Sequence, residues 1–318
     1  MAALKRIYRE LDSLIQSYHS PKWLFMIDMC ISFLIHGSTP NEYMHFQFYK
    51  LKHRERKLFL TYGRTNRLEK KYNAQKNYNL FWDKEKFNAC FSDFVKRGWL
   101  YTPDATEREI HEFISRYDRI LAKPTSRSSG HGIYLLDKKN YNIQDLIHNK
   151  ILLEECVAQN NEMAQFNQSS VNTVRIYTVL GHKGTAHLVA CMIRVGGKGN
   201  IIDNYHNGGC GFPLDEKTGI IGKPGVDFAG KEHLFSPSTG FKAIGFQVPN
   251  WETLVEFVSR AACKFSDSRL IAWDIAITKN NFELIEGNYK WSTDFMQAID
   301  KKGRYRIIKN ALAEKTDA

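Results

Sequence analysis

Asp274, Glu286 and Asn288, near the end of the 318-residue chain, are the residues whose types and spacing point most directly to chemistry. They stand in the stretch IAWDIAITKNNFELIEGN. It reads as two apolar strands, LIAWDIAI and FELIEGN, turning at Lys279-Asn280-Asn281. Side chains alternate along a strand, so residues 286 and 288 share a face, beside Asp274 on the neighbouring strand. Two carboxylates and a carboxamide meeting there form a hard-cation site, and magnesium prefers carboxylate and phosphate oxygens. Taken singly, Asp274 is an edge carboxylate and the other two are turn residues. The combination of an aspartate with E-x-N across adjacent strands is more specific.

A magnesium site of this kind needs phosphate, and an upstream segment suits one. In RILAKPTSRSSGHGIYLL an apolar run ends at Lys123-Pro124, a Ser/Gly loop follows, and a second apolar run begins at Ile133. This predicts strand, loop, strand. Ser126, Ser128, Ser129, Gly130 and Gly132 leave backbone amides able to wrap a polyanion, and Lys123 supplies a point charge for phosphates. An ordinary flexible hairpin explains the same residues, and no GK[ST] follows, so the loop is not a P-loop. In ILLEECV, the edge at Glu154, Glu155 and Val157 offers backbone groups to an adenine, and Glu162 a carboxylate to ribose. A plain strand with exposed glutamates reads equally well.

Around these lie the elements that must hold them. The first ~75 residues are mostly helical by periodicity. Thr106 to Glu109 form a capping box, with Ile110, Phe113, Ile114, Tyr117 and Ile120 expected on one helical face. From Val171 the chain becomes strand-rich, and residues 251–265 carry a helical face. The run Trp23 to Ile35 (WLFMIDMCISFLI) is too short to span a bilayer and is expected to be a buried helix. It starts too far inside and lacks the cleavage site of a signal peptide. Lys5, Arg6, Arg9 and Lys22 near it leave peripheral association with a membrane open.

Composition sets outer limits. A 43% hydrophobic, 25% charged chain of this length buries a sizeable core, and its net charge of +11 favours an anionic partner of some kind. The basic run Lys50 to Lys71 reads first as a solvated face. Its flanking aromatics have core spacing and no nucleic-acid module accompanies them, so no nucleic acid is expected. Six cysteines without CxxC or metal-ligand spacing suit a reducing cytoplasm, as buried or inert thiols.

The order of these features resembles the ATP-grasp superfamily, most closely its branch associated with sugar transfer and capsule or teichuronopeptide synthesis. The resemblance runs from about Lys84 to Asn288. Asp83-Lys84 with Phe87 resembles the DK…F segment whose lysine reaches ATP. Lys123 and Ser126–Gly132 resemble the central lysine and phosphate loop, and Glu154–Val157 the adenine hinge. Ser170-Val171-Asn172-Thr173-Val174-Arg175 resembles the SxNTxR strand, whose asparagine and arginine face substrate and phosphates. Arg194, followed by Asn204, Asn207, Gly208 and Gly209, is similar to glutamate ligases in which an arginine stabilises an acyl phosphate and the Asn…GG loop shapes the acceptor site. Asn207 stands where those ligases often carry arginine, which puts a shared acceptor in doubt. The histidine expected around Asn160 to Met163 is missing, which weakens the ribose role of Glu162.

The resemblance implies an α+β ATP-grasp fold, with two lobes gripping ATP. The expected divisions are a helical extension (1–75), an αβ segment (76–120), a central lid (121–165) and a catalytic lobe (166–318). It further implies ATP and Mg2+ as cofactors and a cytoplasmic, ADP-forming carboxylate–amine ligase. The expected substrates are a sugar acid or nucleotide-sugar and an amine, with Arg194, Arg175 and Asn172 catalytic. The rival readings are a kinase on the same scaffold and a basic nucleic-acid or membrane adaptor with a degenerate nucleotide site.

Overall fold

The computed structural model describes residues 12, 21–125, 132–201, 208–291 and 293–314. Two antiparallel sheets organise them. The smaller contains β1 (Trp99–Tyr101), β2 (Ile120–Pro124), β3 (Tyr134–Leu135) and β4 (Ile151–Glu155), in the order β1-β4-β2-β3. The larger contains β5 (Thr173–Leu180), β6 (Ala186–Val195), β7 (Cys210–Pro213), β8 (Gly225–Asp227), β9 (Glu232–His233), β10 (Leu270–Ile277) and β11 (Phe282–Asn288). Its order is β11-β10-β5-β6-β7-β8-β9.

Every residue of β5 and β10 is buried, because both faces of this sheet are covered. One face carries Val174, Ile176, Ile193, Trp273 and Ile275 against Phe87, Phe91 and the helix Trp251–Cys263. The opposite face carries Tyr177, Met192 and Ala272, covered by Trp291, Phe295 and the helix Tyr305–Ala313. Only part of that second face is apolar. The remainder holds the charged residues described below.

The segment before the sheets clamps the strand that ends at Asn288. At the end of the helix Tyr62–Tyr72, Asn73 donates to the carbonyls of Leu270 and Tyr289 at 2.9 and 3.2 Å. Glu69, on that helix, accepts from the Trp291 amide at 2.9 Å. Burial pushes the Glu69 carboxyl up to about 6 from 4.5, against the pull of that hydrogen bond and of Lys290. The folded state therefore holds this proton more tightly than the unfolded chain. Its contribution to stability is full below pH 4.5 and is lost as pH rises through about 6. Glu69→Gln should leave stability unchanged near pH 4 and raise it by up to about 2 kcal/mol above pH 7. Chemical denaturation at the two pH values measures this.

Several sequence expectations change at element boundaries. The capping box is present, with Thr106 accepting from the Glu109 amide, but the helix stops at Arg116. Tyr117 is extended and Ile120 opens β2, so these two belong to the sheet side of the same apolar cluster rather than to the helix. The run Trp23 to Ile35 is a helix, Lys22–His36, but it is not buried: Leu34 is 79% exposed and Trp23 58%. Cys191 and Cys210 are buried, whereas Cys30 and Cys263 are exposed.

Candidate functional site

The hairpin of β10 and β11 sets Asp274 directly opposite Glu286, and Ala272 opposite Asn288. Register then slips by one residue between Asp274 and Ile275, so Ile275 faces Leu284 and Ile285 is the extra residue. A bulge at this point bends the strand beside the site. Gly287, between the two polar residues, points at the aromatic core. A Cβ there would stand 2.9 Å from the Phe87 ring and 3.0 Å from Phe81, so only glycine allows the strand to lie this close.

On its other side Asp274 is opposite Arg175 of β5, and Arg194 of β6 is opposite Thr173. Alternation places Arg175, Arg194, Asp274 and Glu286 on one face of four adjacent strands. Arg175 grips the Asp274 carboxylate with two bonds, Nε to Oδ1 at 2.7 Å and Nη2 to Oδ2 at 2.5 Å. Arg194 Nη1 adds a third at 2.8 Å. Arg175 Nη2 also lies 3.7 Å from Glu286 Oε1. Asn288 Nδ2 donates to Glu286 Oε1 at 3.2 Å and to Asp274 Oδ2 at 3.3 Å.

The electrostatics separate the two carboxylates. Burial would raise the Asp274 pKa, but the two guanidiniums override it and hold the carboxyl well below the usual range. Glu286 moves the other way, raised by burial and by the negative charge of Asp274. A divalent cation between them would relieve that repulsion. The carboxylates of Asp274 and Glu286 are hard oxygen donors of the kind magnesium takes, and Asn288 turns its Nδ2 toward both of them. Magnesium commonly takes one or two carboxylates and completes its shell with phosphate and water.

Two lysines lie near this row, one on a helix and one on the other sheet. The electrostatic neighbours of Lys84, on the helix Lys84–Cys90, are Glu286, Lys123 and Glu154. Burial pushes the Lys84 ammonium down, with Glu286 opposing and Lys123 reinforcing. Lys123, in β2, is paired with Glu154 of β4.

Glu154 is therefore not the exposed glutamate that a plain strand would carry. It is buried, with Asn88 Nδ2 donating at 2.8 Å and Arg97 Nη2 at 2.9 Å. Burial opposes its ionisation, yet Arg97 and Lys123 hold it far below the normal carboxylate range. Arg97 Nη1 also binds Glu283 at 2.7 Å and the Leu284 carbonyl at 2.7 Å. This buried chain links Lys123 of one sheet to β11, the strand that carries Glu286, of the other. Arg97 and Glu283 were not anticipated. The available signal was charge inside apolar stretches, KRGWLY and NFELIE, where a solvated residue would be out of place.

Other anticipated residues fall elsewhere. Asn172 was expected to face the substrate, but it is fully buried. Its Nδ2 donates to Gln159 Oε1, the Met163 carbonyl and the Asn167 carbonyl, each at 2.9 Å. It pins the turn between β4 and β5 rather than entering the cleft. Glu155 is committed locally, its Oε2 accepting from the Gly98 amide at 3.0 Å. Val157 is half-buried just past β4, and Glu162 is exposed on the short helix Asn161–Ala164. Gly132 and Gly208 both adopt φ +79°, a left-handed conformation that glycine takes without strain. Gly209 precedes β7, whose Gly211 sits opposite Arg194, so the glycine pair ends beside that arginine. Ser126, Ser128, Ser129, Gly130, Asn204 and Asn207 lie outside the described residues.

Residues 63–311 match the family model described as sugar-transfer associated ATP-grasp. Among solved structures, the ADP complex of purK, an N5-carboxyaminoimidazole ribonucleotide synthetase, is similar at TM-score 0.50 and 8% identity. That alignment covers 81% of this chain and 59% of that one. The ATP-grasp ligase PsnB, complexed with a precursor variant, Mg and ADP, gives TM-score 0.48 at 13% identity, over 80% of this chain and 66% of that one. An L-amino acid ligase from Bacillus licheniformis gives 0.44 at 11%, over 75% and 50%. The chain thus spans two thirds or less of the length of these three structures. No curated protein matches in sequence.

Proposed function

Because the chain belongs to the sugar-transfer associated ATP-grasp family, we propose that its charged cleft runs an ADP-forming ligation of a carboxylate to an amine through an acyl phosphate. The observation that carries this reading is the row of Arg175, Arg194, Asp274 and Glu286, with Lys84 and Lys123 near it. Its cationic side chains surround the place where negative charge would be shared between a γ-phosphate and a substrate carboxylate. Mg2+ held by Asp274, Glu286 and Asn288 would supply charge neutralisation to the phosphates of ATP.

The residues divide the remaining work. Lys84 and Lys123 hold the polyphosphate, with Glu154 keeping the Lys123 ammonium in place. Arg175 orients Asp274. Arg194, next to the returning glycine strand, lies on the acceptor side. A carboxylate oxygen of the substrate bonds to the γ-phosphorus as the bond to the β-phosphate oxygen breaks, and ADP leaves. The amine nitrogen then bonds to the acyl carbon as the carbon–oxygen bond to phosphate breaks, and the proton the nitrogen loses passes to the departing phosphate. No enzyme nucleophile is needed.

The substrate class follows from charge and family. A uronic acid, free or as a nucleotide-sugar, suits a chain of net charge +11, and an amino acid or simple amine completes the amide. The setting would be capsule or exopolysaccharide synthesis, and six free cysteines suit a cytoplasmic location. ADP release measured over a panel of uronic acids and amines, with mass spectrometry of the products, tests the reading. A ligase requires both partners and yields an amide. A kinase on the same scaffold would release ADP without the amine and yield a phosphate ester.

A further inference from the structure

The helix Lys22–His36 carries its polarity the wrong way round for water. Its inward line is Phe25, Asp28, Met29, Ser32 and His36, spaced three and four apart. Most of that line is polar and specifically tied down. Asp28 receives both Arg56 Nη1 and Nη2 at 2.7 Å and the Tyr43 hydroxyl at 2.6 Å. Ser32 bonds Ser38 at 2.8 Å, and the ring nitrogens of His36 lie 3.2 Å from His53 and 3.3 Å from Arg64. The outward arc, from Trp23 through Ile27 and Ile31 to Leu34 and Ile35, contains no charged residue. Exposures there run from 43% at Leu24 to 79% at Leu34. Polar anchors fix the helix to the protein while its apolar side faces out, which monomeric soluble proteins rarely allow over a contiguous patch.

Charge indicates what covers it. Between residues 21 and 72 there are ten Lys or Arg against four Asp or Glu. The four acids are buried or half-buried, whereas Lys50, Lys52, Arg54 and Lys57 are exposed, in the segment packed against the inner side of this helix. Among the described residues no helix is long and apolar enough to cross a membrane, and 15 residues span only about 22 Å. We propose that Lys22–His36 is an interfacial helix that lies in the surface of an anionic lipid bilayer, its outward apolar arc inserted and the neighbouring lysines and arginines meeting the headgroups.

Flotation of the full chain with phosphatidylcholine vesicles, with and without about 30% phosphatidylglycerol, tests this. The protein should float with the anionic vesicles, less with the neutral ones, and less again in about 0.5 M salt. The double variant Ile27→Glu/Leu34→Glu, at exposed positions away from the cleft, should bind about tenfold more weakly or worse with its melting temperature unchanged. Absence of flotation, or binding that the double variant leaves intact, would overturn the proposal. A concentration-dependent dimer abolished by the variant, with no lipid binding, would assign the face to a second copy and overturn it as well. The readout uses no substrate, so it is independent of the ligase reading.

Discussion

Replacing Arg97 with methionine should lower the stability of the protein by about 3–5 kcal/mol, because it leaves buried carboxylates without their cation. Arg97 is 3% exposed and stands between Glu154 and Glu283, whose side chains are 2% and 5% exposed. Removing the cation leaves two ionised carboxylates facing each other's field in a place that water does not reach. Lys123 still partners Glu154, but Glu283 retains only the Lys96 and Arg97 amides. Urea denaturation monitored by circular dichroism measures the loss. A second replacement, Glu283→Gln together with Arg97→Met, should recover part of it, because the buried charge goes as well. A loss below about 1 kcal/mol for Arg97→Met alone would show that the two sheets are not joined through this residue.

Glu286→Gln is the second large effect, and it acts on turnover rather than folding. Glu286 stands beside the Asp274 carboxylate with its own side chain 46% exposed, so losing its charge removes a partly screened repulsion from the folded state. The amide keeps an oxygen able to accept from Asn288 and a shape that fits beside Gly287. We expect the melting temperature to hold or rise. Turnover should fall by at least about 100- to 1,000-fold, as for removal of a group that stabilises transition-state charge. ADP release at saturating ATP, paired with a thermal melt of the same sample, separates the two outcomes. Normal turnover would remove Glu286 from the metal site.

The part of the site that was legible in the sequence is the part that local pattern specifies. A hairpin with its polar residues two apart declares that 286 and 288 share a face, whereas the register set by the turn at Lys279 to Asn281 would put Ile285 opposite Asp274, and only the bulge at Ile285 brings Glu286 there. The strand, loop, strand pattern around Lys123 is likewise found as β2 and β3, with Leu121 opposite Leu135. What was not legible depends on partners far away in the chain. Nothing near Glu154 says that Arg97 and Asn88 will surround it, so a buried ion-paired carboxylate and an exposed glutamate look the same in ILLEECV. Asn172 shows the same limit, since the carbonyls of Met163 and Asn167 that claim its amide belong to a turn with no pattern of its own. The Lys22–His36 helix misled for a different reason. Apolar composition normally means burial, but here three polar side chains take the inward positions and the apolar ones are left outside.

The central claim is that ATP is used in this cleft to activate a carboxylate. It is tested most directly by following oxygen. The protein would be given Mg-ATP, an amine mixture and uronic acids carrying 18O in the carboxylate, and the released phosphate analysed by mass spectrometry. An acyl phosphate passes one carboxylate oxygen to phosphorus, so each amide formed should be matched by one ADP and one phosphate bearing a single 18O. ADP formed with the label still in an intact carboxylate, alongside a sugar phosphate ester, would contradict the account.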